Sequence, residues 1–198
     1  NPAPLSEAPK FPEDFKMRKT IFGFASLAVM LGAAPAWVGA MGPDAATPDE
    51  VVSKVHEAAK YLHDKGQAGF PDFNNNANWV WKDSYVFVFS CRDNKMIAHP
   101  LRPDLVGKPI LQMEDDKGNL LFKKLCEAGN SAGGGWVEYW WPKPGEAKAS
   151  RKISYTQSTE VSFQPDVRVG AGIYDDTMSV DELNKLAQQA IKPKKDAP

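Results

Sequence analysis

Five runs rich in Val, Ile, Phe, Tyr and Trp follow one long amphipathic segment, and that order constrains the fold more than any other feature of the chain. The runs are Ser84 to Cys91, Lys95 to His99, Gly135 to Trp141, Arg151 to Ser158 and Asp166 to Tyr174, and turn residues bound each of them. Arg92-Asp93-Asn94 is short enough to close a hairpin between the first two, and Pro142 to Ala149 reads as a longer hairpin loop between the third and fourth. The crossover between the second and third runs holds a turn at Asp115-Asp116-Lys117-Gly118-Asn119 and a helix around Leu120 to Ala128. Ahead of the runs, a helix is predicted from Thr47 to about Gly66. Thr47 is the N-cap, Pro48 suits the first helical position, Glu50 completes a capping box and Gly66 is the stop. Val51, Val52, Val55, Ala58, Ala59 and Leu62 form its apolar face. A last helix, about Val180 to Ile191, starts on a second capping box, Ser179 to Glu182. One long helix, a five-stranded, mostly antiparallel sheet with a crossover, and a short terminal helix define an α+β domain.

The N-terminus reads differently. From Met17 the chain runs MRKTIFGFASLAVMLGAAPAWVGA, with a positive n-region at Arg18 and Lys19 and an apolar stretch from Ile21 to Ala34. This is a signal peptide over 17–40, with cleavage expected after Ala40; the alternative is an uncleaved anchor, but the apolar run is shorter than the roughly 20 residues that span a bilayer. Residues 1–16 read as a disordered upstream extension, 41–192 as the folded domain and 193–198 as a disordered tail. The expected location is periplasmic. Export would permit a bond between Cys91 and Cys126, if the crossover helix docks over the sheet edge; two free thiols are the other reading.

Lys and Arg number 24 against 25 Asp and Glu in 198 residues, so no basic field points to nucleic acid. No nucleophile elbow, phosphate loop or His-Glu-x-x-His motif is present, and Gly133-Gly134-Gly135 precedes a strand rather than a helix. His56 and His63 lie seven apart on the polar side of the first helix, which is not a chelating spacing. Asp175 and Asp176 read as a turn. No enzyme, cofactor or metal is expected.

The run Trp136-Val-Glu-Tyr-Trp-Trp141 carries the most aromatic surface. Strand alternation puts Val137, Tyr139 and Trp141 on one face and Trp136, Glu138 and Trp140 on the other. The charged Glu138 assigns its face to solvent or a helix flank, which leaves Tyr139 and Trp141 for the interior, as core packing or as a pocket wall. On the next strand Lys152 and Ser154 share a face opposite Arg151, Ile153 and Tyr155, so Lys152 and Tyr155 do not both point into one pocket.

Three blocks narrow the fold further: Tyr85-Val-Phe-Val-Phe with Ile97-Ala-His99-Pro100 and Pro103-Asp-Leu-Val-Gly107-Lys; Gly134-Gly135-Trp-Val-Glu-Tyr139-Trp-Trp141-Pro-Lys-Pro-Gly145 with Lys152-Ile-Ser-Tyr155; and Val169-Gly170-Ala-Gly172-Ile-Tyr174. In this order the chain resembles the single Cache domain family of bacterial chemoreceptors and sensor kinases, from about residue 47 to 190. The resemblance implies a PAS-like sheet with the long helix on its back and a small-ligand pocket between sheet and crossover. It implies a small organic acid or related metabolite as ligand, with ligand-binding candidates Tyr85, His99, Tyr139, Trp141, Lys152, Tyr155 and Arg168. Lys152 is the cation for a carboxylate, with a solvated lysine as the alternative. Arg168 is the substitute cation, and His99 either bonds the ligand or ties the crossover to the sheet. With no output module, the expectation is a stand-alone exported domain working through a receptor or kinase partner. The alternative is a periplasmic protein-interaction module with a filled core.

Overall fold

The computed structural model describes residues 45–75 and 77–190. The signal peptide, the upstream extension and the tail expected from the sequence lie outside the described residues. Helix α1 spans Pro48–Lys65 and starts as its sequence dictates: Thr47 accepts from the Glu50 backbone, and Glu50 accepts from the Thr47 backbone at 2.9 Å. A one-turn helix, α2 (Asp72–Asn75), follows. Strands β1 (Val80–Trp81) and β2 (Ser84–Tyr85) make a small antiparallel pair. The main sheet contains β3 (Phe87–Ser90), β4 (Lys95–Ala98), β5 (Gly135–Pro142), β6 (Ala149–Val161) and β7 (Gln164–Tyr174), in the antiparallel order β4-β3-β7-β6-β5. Helix α3 (Leu121–Ala128) lies in the crossover and α4 (Val180–Ala190) closes the described chain.

The first predicted strand is in fact two. It divides at Val86, whose backbone donates to Trp79 rather than continuing one ladder; ahead of it, a turn at Lys82, whose φ is 48°, folds β1 back on β2. The sheet is covered on both faces. Val51, Val55, Ala58 and Leu62 of α1 pack on Val88, Ile153, Val167, Val169, Ala171 and Ile173. On the opposite face Leu105, Ile110, Leu121, Phe122 and Leu125 of the crossover cover Phe87, Phe89, Val137 and Tyr139. The aromatic run of β5 therefore feeds two cores: Trp136 belongs to the helix side, and Tyr139 to the crossover side. Glu138 stays half-exposed and pairs at 2.6 Å with Arg151, which also donates to the backbone carbonyls of Asp175 and Met178 just before α4.

Two ties hold the crossover down. Cys91 and Cys126 form a disulfide with their Cα atoms 5.9 Å apart, joining the end of β3 to α3. The Asp115 carboxylate closes its own turn by accepting from the backbones of Lys117 and Asn119, then accepts from Trp140 of β5 at 2.9 Å. These bonds hold the carboxyl below its ordinary range against the opposing effect of burial.

Candidate functional site

The register of three strands builds the site. Tyr139 of β5 stands opposite Lys152 of β6, and Lys152 stands opposite Tyr174 of β7, so one row across the sheet reads Tyr-Lys-Tyr on the crossover face. The Tyr139 hydroxyl exchanges a 2.8 Å hydrogen bond with Ser154, two residues along β6 on the same face. Gly172 makes the room: a Cβ there would collide with Ser154 Oγ and come within 3.0 Å of Lys152 Cε.

Lys152 is not solvated. It is fully buried, and its Nζ has no hydrogen-bond partner among the described residues. The ammonium lies 3.8 Å from the ring centre of Tyr85, 5.1 Å from that of Tyr174 and 5.7 Å from that of Phe87. Ring faces attract a cation, but they do not replace its hydration shell. Burial brings the Lys152 amine down to about 7, opposed only by the charge of Asp83. The phenols around it are held neutral: burial pushes Tyr85 up to about 12 and raises Tyr139 and Tyr174 further.

Beside this row is a cleft of about 300 Å³, lined by Tyr85, Leu101, Arg102, Trp141 and the Pro142–Ala147 loop. Tyr85 is common to both features, as a wall of the cleft and as the nearest ring to the ammonium. Trp141 carries the Arg102 guanidinium 5.6 Å from its ring, and Arg102 is already gripped by Asp104 at 2.8 and 2.7 Å. His99 is buried with its ring 4.9 Å from that of Tyr85. Its Nδ1 accepts from the backbones of Leu101 and Arg102, at 3.3 and 3.0 Å, and its own backbone donates to Asn74. Burial first, and then the charges of Lys152 and Arg102, bring it down to about 3, so it is a neutral imidazole with its proton on Nε2. It ties the crossover to the sheet end.

Of the seven residues expected from the sequence, Tyr85, His99, Tyr139, Trp141 and Lys152 come together here, and two do not. Tyr155 faces α1 on the other side of the sheet, where its hydroxyl meets the Gly133 carbonyl and His56 Nε2; strand alternation separates it from Lys152. Arg168 is on the crossover face but six positions along β7 from Tyr174, about 20 Å away at strand rise. It is engaged there by Asp166 at 2.7 Å and by Asn130. Tyr174, Ser154 and Arg102 were missed. Alternation from Gly172 would have placed Tyr174 on the site face, and Ser154 shares a face with Lys152; nothing in the spacing marks Arg102.

Residues 52–192 match the Cache domain family. The methyl-accepting chemotaxis protein McpP of Pseudomonas putida is 30% identical over 98 residues, which cover 49% of this chain and 17% of that protein. The sensor histidine kinase MctS of Rhizobium johnstonii is 33% identical over 95 residues, 48% of this chain and 20% of that protein. The chain thus spans about a fifth of the length of these curated relatives. Among solved structures, a methyl-accepting chemotaxis protein from Vibrio parahaemolyticus superposes with a TM-score of 0.53 at 22% identity, covering 68% of this chain and 89% of that one. A Cache chemosensory domain solved for its carboxylic acid recognition aligns at 28% identity and a TM-score of 0.49, over 63% of this chain and 86% of its own. With more than half its length matched and the sheet, flanking helices and crossover in place, the chain belongs to the Cache domain family.

Proposed function

We propose that this Cache domain is an exported, periplasmic sensor module that binds a small organic acid, with Lys152 holding its carboxylate. The observation that carries the reading is the Lys152 ammonium, fully buried with no acceptor among the described residues and flanked by tyrosines beside a cleft. A charge in that position is costly until an anion arrives. Arg102 is already matched by Asp104, so the charge left to satisfy is that of one carboxylate. The ligand enters by the Trp141 cleft and reaches the ammonium past the Tyr85 ring. Tyr139 and Tyr174, both neutral, wall the site on either side, the Tyr139 hydroxyl bonded to Ser154 and the Tyr174 hydroxyl donating to the Pro142 carbonyl at 2.7 Å. A receptor or kinase partner reads the bound state, consistent with the chemoreceptor and sensor kinase among the relatives.

A thermal-shift screen of small carboxylates, followed by calorimetry on the parent and on Lys152→Met, tests this. A true ligand raises Tm by mass action. A charge-assisted hydrogen bond is worth about 1.5–3 kcal/mol, so Lys152→Met weakens that ligand roughly ten- to a hundredfold. Equal affinities for parent and variant would show that Lys152 is not the carboxylate anchor. If no carboxylate stabilises the parent, the domain is instead an interaction module whose aromatic residues only pack.

A further inference from the structure

Among the described residues, no carboxylate pairs directly with Lys152. The rows on either side give Tyr139 and Tyr174; β2 gives Tyr85, with Asp83 just before it; β3 gives Phe87; and His99 and Arg102 follow β4. The three phenols and the imidazole are neutral near pH 7, and Arg102 is a cation bound to Asp104. Among the described residues, Asp83 is the one carboxylate whose charge is felt at Lys152, and it makes no hydrogen bond to Nζ; it accepts from the Ala46 backbone at 2.8 Å. A fully buried amine with no acceptor favours its neutral form, and a carboxylate delivered beside it favours the charged one.

We propose that ligand binding at this site is coupled to proton uptake: Lys152 takes a proton from solvent as the ligand's carboxylate arrives, so the domain answers to a carboxylate and to acidity together. The inference rests on the carboxylate reading above. No covalent bond forms; a proton moves from buffer to Nζ, and the ammonium then donates to the carboxylate. The free amine, brought to about 7 by burial, supports this, because its protonation changes across the pH range in which a carboxylate ligand stays ionised.

Calorimetry of the full domain with acetate, lactate and succinate decides the matter. Titrations are run at about pH 6 and pH 8, the latter in Tris and in triethanolamine, two non-anionic buffers with different ionisation enthalpies. Linkage requires the Kd to be about tenfold higher at pH 8 than at pH 6. At pH 8 the dependence of the heat on buffer should report close to one proton taken up per ligand. Any residual binding by Lys152→Met should show neither effect. A ligand that binds with the same Kd at both pH values and the same heat in both buffers overturns the coupling and leaves the carboxylate site standing. Absence of binding by all three acids at either pH overturns the ligand assignment and the coupling with it.

Discussion

At the scale of a single residue, the burial of Lys152 bears on stability as well as on the recognition proposed for it. Its amine belongs at about 7 in the folded chain against an ordinary value of 10.5. Below about pH 7 both folded and unfolded states hold the proton, and the fold bears the whole cost of the buried charge. Between about pH 7 and 10.5 the unfolded state holds more protons, so this group makes stability rise with pH by about 1.4 kcal/mol per unit. Replacing a buried, unpaired charge with an apolar side chain of similar length removes that cost. Lys152→Met should therefore be more stable than the parent at pH 7 by roughly 1–4 kcal/mol. The gap should narrow by about 2–3 kcal/mol by pH 9. Urea unfolding of both proteins at the two pH values checks this, and parallel pH dependences would refute it. A lysine on a strand reads from sequence as solvated or as a ligand-binding cation. Alternation assigned Lys152 to its face, but its complete burial follows from the crossover that covers that face, and no local pattern reports a covering segment 27 to 47 residues away in the chain.

At the scale of elements, the disulfide is the tie whose removal is easiest to measure. It closes a separation of 35 residues, from the end of β3 to α3. In the chain-entropy account such a loop contributes roughly 3–4 kcal/mol, so a Cys91→Ser/Cys126→Ser double variant should unfold at correspondingly lower urea with an unchanged strand content. Equal midpoints for the parent with and without reductant, under conditions that break the bond, would count against it. The elements themselves were largely legible. α1 lies where its capping box and Gly66 put it, α4 follows its capping box, and α3 lies within the stretch expected for the crossover helix. The strands appear in the predicted order, although β6 and β7 extend beyond their predicted ends into one long hairpin. The β1–β2 pair was not legible, because Lys82 adopts a left-handed turn that its residue type does not announce, nor was the division of β2 from β3 at Val86, whose backbone donates to Trp79. Nor was the separation of Tyr155 from the pocket taken to its end: alternation already opposed it to Lys152, and the resemblance alone kept it among the candidates.

At the scale of the whole molecule, export and signalling are the properties to test. The n-region and apolar stretch before Ala40 predict a mature chain that begins near Met41. N-terminal sequencing of protein from a periplasmic fraction checks it, and a start near Met17 in the membrane fraction would identify an anchored domain instead. The described domain also has a property visible only when its two faces are considered together. Arg151, Lys152 and Ile153 are consecutive on β6, yet they serve three different parts of the protein: Arg151 holds the carbonyls of Asp175 and Met178 ahead of α4, Lys152 waits under the crossover, and Ile153 lies in the core beneath α1. Any shift of the Lys152 backbone on binding the proposed ligand would displace both neighbours, since they share its peptide planes. Amide exchange in α4 should therefore slow when a carboxylate binds the parent. In Arg151→Ala that protection should be lost while the affinity stays the same, and an unchanged response in the variant would rule out this route. A response present in the parent and lost in the variant would make the middle of β6 a see-saw, with its load at Lys152 and its motion delivered to a helix on the far side of the sheet.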